Sequence, residues 1–176
     1  MSKKSKGENE EKSVRLKDMT ERSLKNFNKT EAQGWIINTA IKIEELVDSI
    51  LLRFFNPDNR QIFMDYALNS SIMHYGGKIK ILKAIGIDNK TFSNLQYIGS
   101  IRNAFAHTNI SHKMTINIKK PASESTTSVS DIMSVMNGQG IIKSKDPYEF
   151  LKEFLALYQQ VEPVLNEKIK ELDSKK

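Results

Sequence analysis

Thr30-Glu-Ala-Gln-Gly-Trp-Ile-Ile-Asn-Thr-Ala-Ile-Lys-Ile-Glu-Glu-Leu-Val-Asp-Ser-Ile-Leu-Leu-Arg-Phe-Phe55 is the stretch that decides the fold of this chain. Ile36, Ala40, Ile43, Val47, Ile50 and Phe54 recur at alternating steps of four and three, the period of one helix face. Leu46, Leu51 and Phe55 widen the stripe, so the spacing predicts a long helix at the centre of a core. Thr30 and Gln33 have the spacing of a capping box at its start, and Asn56-Pro57 ends it. Trp35 reads as a core residue of the same helix.

Outward from there, the helical pattern continues. Asp58 reads as the cap of a second helix running to about Asn69, with Ile62, Phe63, Tyr66 and Ala67 facing inward. Gly76-Gly77 punctuates the chain, Lys78 to Ile85 forms a short amphipathic helix, and Gly86 stands at its C-terminal cap. Asp88-Asn89 reads as a turn before a further helix from about Thr91 to Thr108. Asp146-Pro147-Tyr148-Glu149 opens a last helix with cap, proline and acidic residue in their preferred places. Phe150, Phe154, Leu157, Val161 and Leu165 give that helix its apolar face, and Pro163 is expected to bend it. Val14 to Phe27 carries a looser stripe and reads as a short helix, while residues 1–13 read as a disordered basic arm.

Residues 109–145 break the pattern. Thr115-Ile-Asn-Ile118 alternates as a strand does, and Gly140-Ile-Ile-Lys143 is its expected partner. The Ser/Thr-rich stretch from Pro121 to Ser130 reads as a mobile loop between them. The expected architecture is therefore all-α: an up-and-down bundle of five to six helices, one domain over 14–173, with a small β-hairpin or loop insertion near 113–145.

Composition narrows the function classes. The chain has no cysteine, which removes disulfides, thiolate metal sites and cysteine nucleophiles. No apolar run approaches the ~20 residues needed to span a bilayer, and no apolar stretch follows the basic start, so a cytoplasmic location without membrane contact is expected. The formal charge is +6. Residues 1–29 carry nine Lys/Arg against five Asp/Glu, residues 30–110 eight against seven, and residues 111–176 ten against nine. The excess thus sits in the N-terminal arm, which permits a nucleic-acid partner without requiring one. There is no Gly-rich phosphate loop, no His-Glu-x-x-His and no Gly-x-Ser-x-Gly. His74 and His112 are isolated, and the acidic residues lack metal-ligand spacing, so neither a metal nor another cofactor is expected.

One helix carries a chemical pattern. At about 100° per residue, Leu95, Ile98, Ile101 and Phe105 fall on its core side, and Gly99, Asn103, Ala106 and His107 on another. Arg102 sits at the shoulder of the apolar stripe. The Gly, Asn and Ala face is flat, so a second helix is expected to approach it closely.

Ile101-Arg-Asn-Ala-Phe-Ala-His107 resembles the Arg-Asn-x-x-x-His signature of the HEPN superfamily of helical domains. Tyr75-Gly-Gly-Lys-Ile-Lys-Ile-Leu-Lys-Ala-Ile-Gly-Ile87 resembles the segment preceding that signature in the mannitol-repressor-like branch. The resemblance covers roughly residues 30–108 and, more loosely, the final helix. It implies a homodimer paired through the 95–108 helix. It also implies a metal-independent endoribonuclease groove with Arg102 and His107 as active groups and Asn103 in support. Many such proteins are toxins of toxin–antitoxin or phage-defence systems, so RNA and an antitoxin or regulatory protein are the implied partners. The alternative within the same family is a non-catalytic, mannitol-repressor-like transcriptional regulator or protein-interaction module.

The residues fit that chemistry in their own right. An imidazole with an ordinary pKa of about 6.5 moves protons at neutral pH, and a guanidinium braces developing phosphoryl charge. Arg102 and His107 are, however, five residues apart, about 140° around a helix. Either the arginine arm swings round or each groove combines two chains, and the second is favoured. The plainer structural readings are that Arg102 pairs with Glu44, Glu45 or Asp48 on the long helix and that His107 offsets the helix dipole.

Overall fold

The computed structural model describes residues 29–107, 110–117, 126–137 and 140–175. The arm and short helix expected before residue 28 lie outside the described residues.

Helix α1 spans Lys29–Phe55, about 40 Å at 1.5 Å per residue. Ile36, Ala40, Ile43, Val47, Ile50 and Leu51 are buried along it, while Phe54 and Phe55 emerge half-exposed at its end. The helix already includes Lys29, so Thr30 lies in the first turn rather than at the cap. Trp35 is partly buried, with its ring edge-on to Phe154 at 5.8 Å. Asn56, with φ at 42°, turns the chain out of the helix before Pro57.

The expected second helix is corrected. Asn59, not Asp58, is the cap, its Oδ1 accepting from Ile62 N at 3.0 Å. Helix α2, Arg60–Ile62, widens at once into a π turn over Phe63–Ala67, closed by Leu68 N donating to Phe63 O at 3.0 Å. An i→i+5 turn holds one residue more than an α turn, which rotates the following side chains off the expected face. Of the residues expected inward, Phe63 packs partly buried against the core, whereas Ile62, ahead of the π turn, is 56% exposed and Tyr66, within it, 70%; Leu68 after it is buried.

Helix α3 spans Tyr75–Ala84, so the two glycines expected to break the chain form its first turn instead. It ends in a Schellman motif: Ile87 N donates to Leu82 O and Gly86 N to Lys83 O. Gly86 has φ at 102°, a conformation that favours glycine. Helix α4 spans Asn89–His107 and buries Thr91, Leu95, Ile98, Ile101 and Phe105. Asp88 is more than a turn residue. Its Oδ1 accepts from Lys90 N and Thr91 N, which caps α4.

Helix α5 spans Pro147–Asp173 and runs on through Pro163. Asp146 caps it by accepting from Tyr148 N at 2.8 Å. Phe150, Phe154, Val161 and Leu165 are buried, as the pattern predicts. Trp35 meets Phe154 near the starts of α1 and α5, and Arg53 meets Asp173 at 2.8 Å near their ends. The two long helices therefore run parallel. Tyr97 with Glu153 and Asn94 with Gln160 show α4 antiparallel to α5. The helices form an all-α bundle, as expected, in which α4 runs opposite to both α1 and α5.

The insertion joining α4 to α5 is a three-stranded antiparallel sheet in the order β1 (Ile110–Asn117), β2 (Thr126–Met136), β3 (Ile142–Lys145). Among the described residues, the expected pairing of the 115–118 stretch with 140–143 does not form. Thr115 pairs with Ser128 and Ile116 with Thr127, while Ile142 pairs with Met136 on the other side of β2. The central strand begins inside the Ser/Thr-rich stretch read as loop. Threonine and valine suit a strand, and further along β2 the alternation is plain, with Met133 and Val135 buried and Ser134 and Met136 exposed. That inner face packs on α4 and α5. Among the described residues, no helix is long and apolar enough to cross a membrane.

Candidate functional site

Arg102, Asn103 and His107 occupy the last two turns of α4. The core residues Leu95, Ile98, Ile101 and Phe105 anchor the opposite side of that helix, so its polar side is held facing outward. Asn103 and His107 are exposed. The Arg102 side chain is 34% exposed. Its Nη1 donates to Asn103 Oδ1 at 3.1 Å. Its Nη2 lies 3.6 Å from Glu44 Oε2 on α1, an ion pair too long for a hydrogen bond. Of the three carboxylates considered as structural partners for Arg102, Glu44 is the one that meets it. Glu45 is exposed, and Asp48 is engaged elsewhere.

Behind that contact lies a buried charge cluster. Lys78 on α3 is only 2% exposed. Its Nζ donates to Glu44 Oε1 at 2.9 Å and to Asp48 Oδ2 at 2.9 Å. Asp48 Oδ1 is equally close to the ammonium but accepts no hydrogen bond. Two carboxylates and two cations make the group neutral as a whole, as burial of charge requires. Burial works against the Lys78 charge, but the two carboxylates outweigh it and hold its pKa above the ordinary lysine value. For Asp48 the balance goes the other way: burial outweighs the help from Lys78, and its carboxyl is pushed up.

Tyr75, three residues before Lys78, closes the cluster on the α4 side. Its hydroxyl donates to Leu95 O at 3.1 Å. Its pKa is driven well above the usual range by burial, with the charge of Glu44 adding and that of Arg102 opposing. A Cβ placed on Gly99 would come within 2.9 Å of Tyr75 Cε1. Gly99 thus leaves room for this ring. The close approach expected at that glycine is made by α3 of the same chain, which uses up part of the flat face assigned to a second molecule.

Sequence reasoning singled out Arg102, Asn103 and His107 as candidates and raised Glu44 as a structural partner of Arg102, a contact the structure contains. It missed the roles of Lys78 and Tyr75. The only available hint was that Lys78 stands four residues before Leu82, one helical turn away and therefore on the same face as that apolar residue. Among the described residues no group of three His, Asp or Glu could hold a metal ion.

Chemically, the end of α4 offers an exposed imidazole at a helix C-terminus and, five residues earlier, a partly exposed guanidinium with more N–H donors than its two contacts use. Both suit a phosphate or another anionic group. No family model, curated protein or solved structure matches the chain.

Proposed function

We propose that the chain is a HEPN-like, metal-independent endoribonuclease of the kind found as toxins in toxin–antitoxin and phage-defence systems. The observation that carries this reading is the partly exposed guanidinium of Arg102, with a long ion pair to Glu44, on the same helix end as the exposed His107. In the proposed reaction His107 takes the proton from an RNA 2′-hydroxyl. The 2′-oxygen then bonds to the adjacent phosphorus as the bond to the 5′-oxygen breaks. The 5′-oxygen leaves as a hydroxyl after gaining a proton, and a 2′,3′-cyclic phosphate remains. Arg102 braces the phosphoryl oxygens, and Asn103 holds Arg102 through its side-chain oxygen.

The 140° separation of Arg102 and His107 makes each cleft a joint product of two copies, with arginine from one and histidine from the other. A mixing experiment tests this directly. Arg102→Ala and His107→Ala should each lose at least ~100-fold in RNA cleavage, the usual worth of a general acid–base group. Mixed heterodimers should regain about half the wild-type rate, because one of their two clefts is intact. Two inactive variants that stay inactive when mixed would place both groups in one chain. A wild type that cleaves no RNA would end the enzymatic reading.

One observation favours the non-catalytic, mannitol-repressor-like reading. Arg102 already has two partners in its own chain, Glu44 and Asn103, and so also serves the fold. Equal growth of cells expressing wild type and both variants would support that alternative.

A further inference from the structure

The contact between Arg102 and Glu44 is longer than the geometry of the pair demands. A free glutamate facing a guanidinium normally closes to a two-pronged pair with N···O distances of ~2.7–2.9 Å. Here Glu44 Oε2 stops 3.6 Å from Nη2. Its other oxygen, Oε1, is held at 2.9 Å by Lys78. Lys78 is itself fixed, because its ammonium also bridges to Asp48 and its side chain is buried. The carboxylate is therefore shared, and the buried partner has the shorter contact.

We infer that Lys78 is a positioning residue that acts through Glu44: by holding one carboxylate oxygen it keeps Glu44 from capturing Arg102, leaving the guanidinium aimed outward and free to meet a phosphate. The inference rests on the ribonuclease reading for its functional consequence and on the Lys78–Glu44–Arg102 geometry for its mechanism. Asp48 has the supporting part. It supplies the second negative charge that keeps the ammonium in place, and its unbonded Oδ1 is what the arrangement leaves unsatisfied. Without Lys78, Glu44 belongs to Arg102 alone, and the side chain folds down onto α1.

The test uses the full chain and two variants. Lys78→Met alone leaves two partly buried carboxylates without their shared cation and is the variant at risk of not folding. Lys78→Met combined with Asp48→Leu removes the buried pair as a unit and leaves the Glu44–Arg102 pair balanced. Cooperative thermal unfolding first establishes that the double variant is folded. If Lys78 only supports the fold, the folded double variant cleaves RNA at the wild-type rate. If Lys78 positions Arg102, the double variant loses at least tenfold in kcat, with a smaller change in KM. A second readout needs no activity: the Arg102 Nε–H signal in nitrogen-15 NMR should exchange with water more slowly in the double variant, as the closed pair protects it. Wild-type kcat together with unchanged exchange would overturn the inference while leaving the ribonuclease reading intact. A wild type without cleavage would remove that reading, and the exchange measurement alone would then decide whether Lys78 governs the freedom of Arg102.

Discussion

Helix α4 carries two clusters built from the same three kinds of side chain, and they are held in very different ways. Toward α1 and α3, Arg102 meets Glu44, and behind that contact Lys78 bridges Glu44 and Asp48 with Tyr75 close by, the ammonium being almost wholly enclosed. Toward the sheet and α5, Tyr97 on α4 donates to Glu153 Oε2 at 2.7 Å, Lys145 from β3 pairs with Glu153 Oε1, and the Lys143 ammonium stands 4.9 Å from the centre of the Tyr97 ring. The Lys145 and Glu153 side chains are 39% and 30% exposed. Solvent screens the second cluster and leaves its members replaceable one at a time. In the first, the Lys78 charge is met by Glu44 and Asp48 rather than by water, so its members are not replaceable one at a time. One cluster joins an insertion to the bundle, and the other holds the carboxylate that faces Arg102.

The sharpest way to break this contrast is to delete one lysine from each. Lys78→Met should cost about 3–5 kcal/mol, the usual penalty for breaking a buried ion pair from one side. Lys145→Met should cost about 1 kcal/mol or less, because its pair is partly solvated. Urea unfolding of the two variants, fitted with a common slope, measures the difference. Similar losses in both would mean that the Lys78 site admits water and that the two clusters are alike.

Gly99→Ala probes the buried cluster without touching a charge. The added Cβ would stand 2.9 Å from Tyr75 Cε1, and the ring is tied in place by its hydrogen bond to Leu95 O. Overpacking of this kind costs about 1–3 kcal/mol, and the ~1 kcal/mol that alanine gains over glycine within a helix offsets only part of it. A lower Tm is expected. A higher Tm would show that Tyr75 yields readily and that Gly99 was open to another molecule after all.

These two clusters also mark how far the sequence can be read. The faces of α1, α4 and α5 were legible because the 3.6-residue period is a local signal: Ile43, Val47, Ile98, Ile101, Phe154 and Val161 all lie inward where the spacing places them. The π turn at Phe63–Ala67 was not legible, since one extra residue per turn leaves no mark in composition. Strand β2 was hidden because serine and threonine look alike in a loop and in a strand whose partners are chosen elsewhere in the chain. Among the candidate residues, Arg102, Asn103 and His107 stand together in one short motif and could be singled out. Lys78 could not be assigned, because its burial depends on carboxylates 34 and 30 positions away on another helix. Lysine on an amphipathic helix ordinarily reads as solvated.

The smallest expected effect is a difference of sign in the response to acid. Lys145 and Tyr97 together outweigh the burial of Glu153 and hold its pKa below the ordinary 4.5. Its ionised form therefore adds stability above that value, and the contribution is lost as pH falls through the lowered pKa. Asp48 is raised above its ordinary 3.8, chiefly by burial. Its folded form binds a proton more readily than the unfolded chain does, so it favours the folded state at low pH and loses that contribution as pH rises through the raised pKa. Across the carboxylate range the wild type sums both trends. Glu153→Gln removes the first and should lose stability less steeply on acidification than the wild type. Asp48→Asn removes the second and should lose it more steeply. Unfolding free energies measured from neutral pH down through 3.8 for the three proteins give the slopes. Should Asp48→Asn flatten the curve instead, the Lys78 ammonium would dominate its carboxylate despite burial, and the enclosed cluster would behave electrostatically like the one at the sheet.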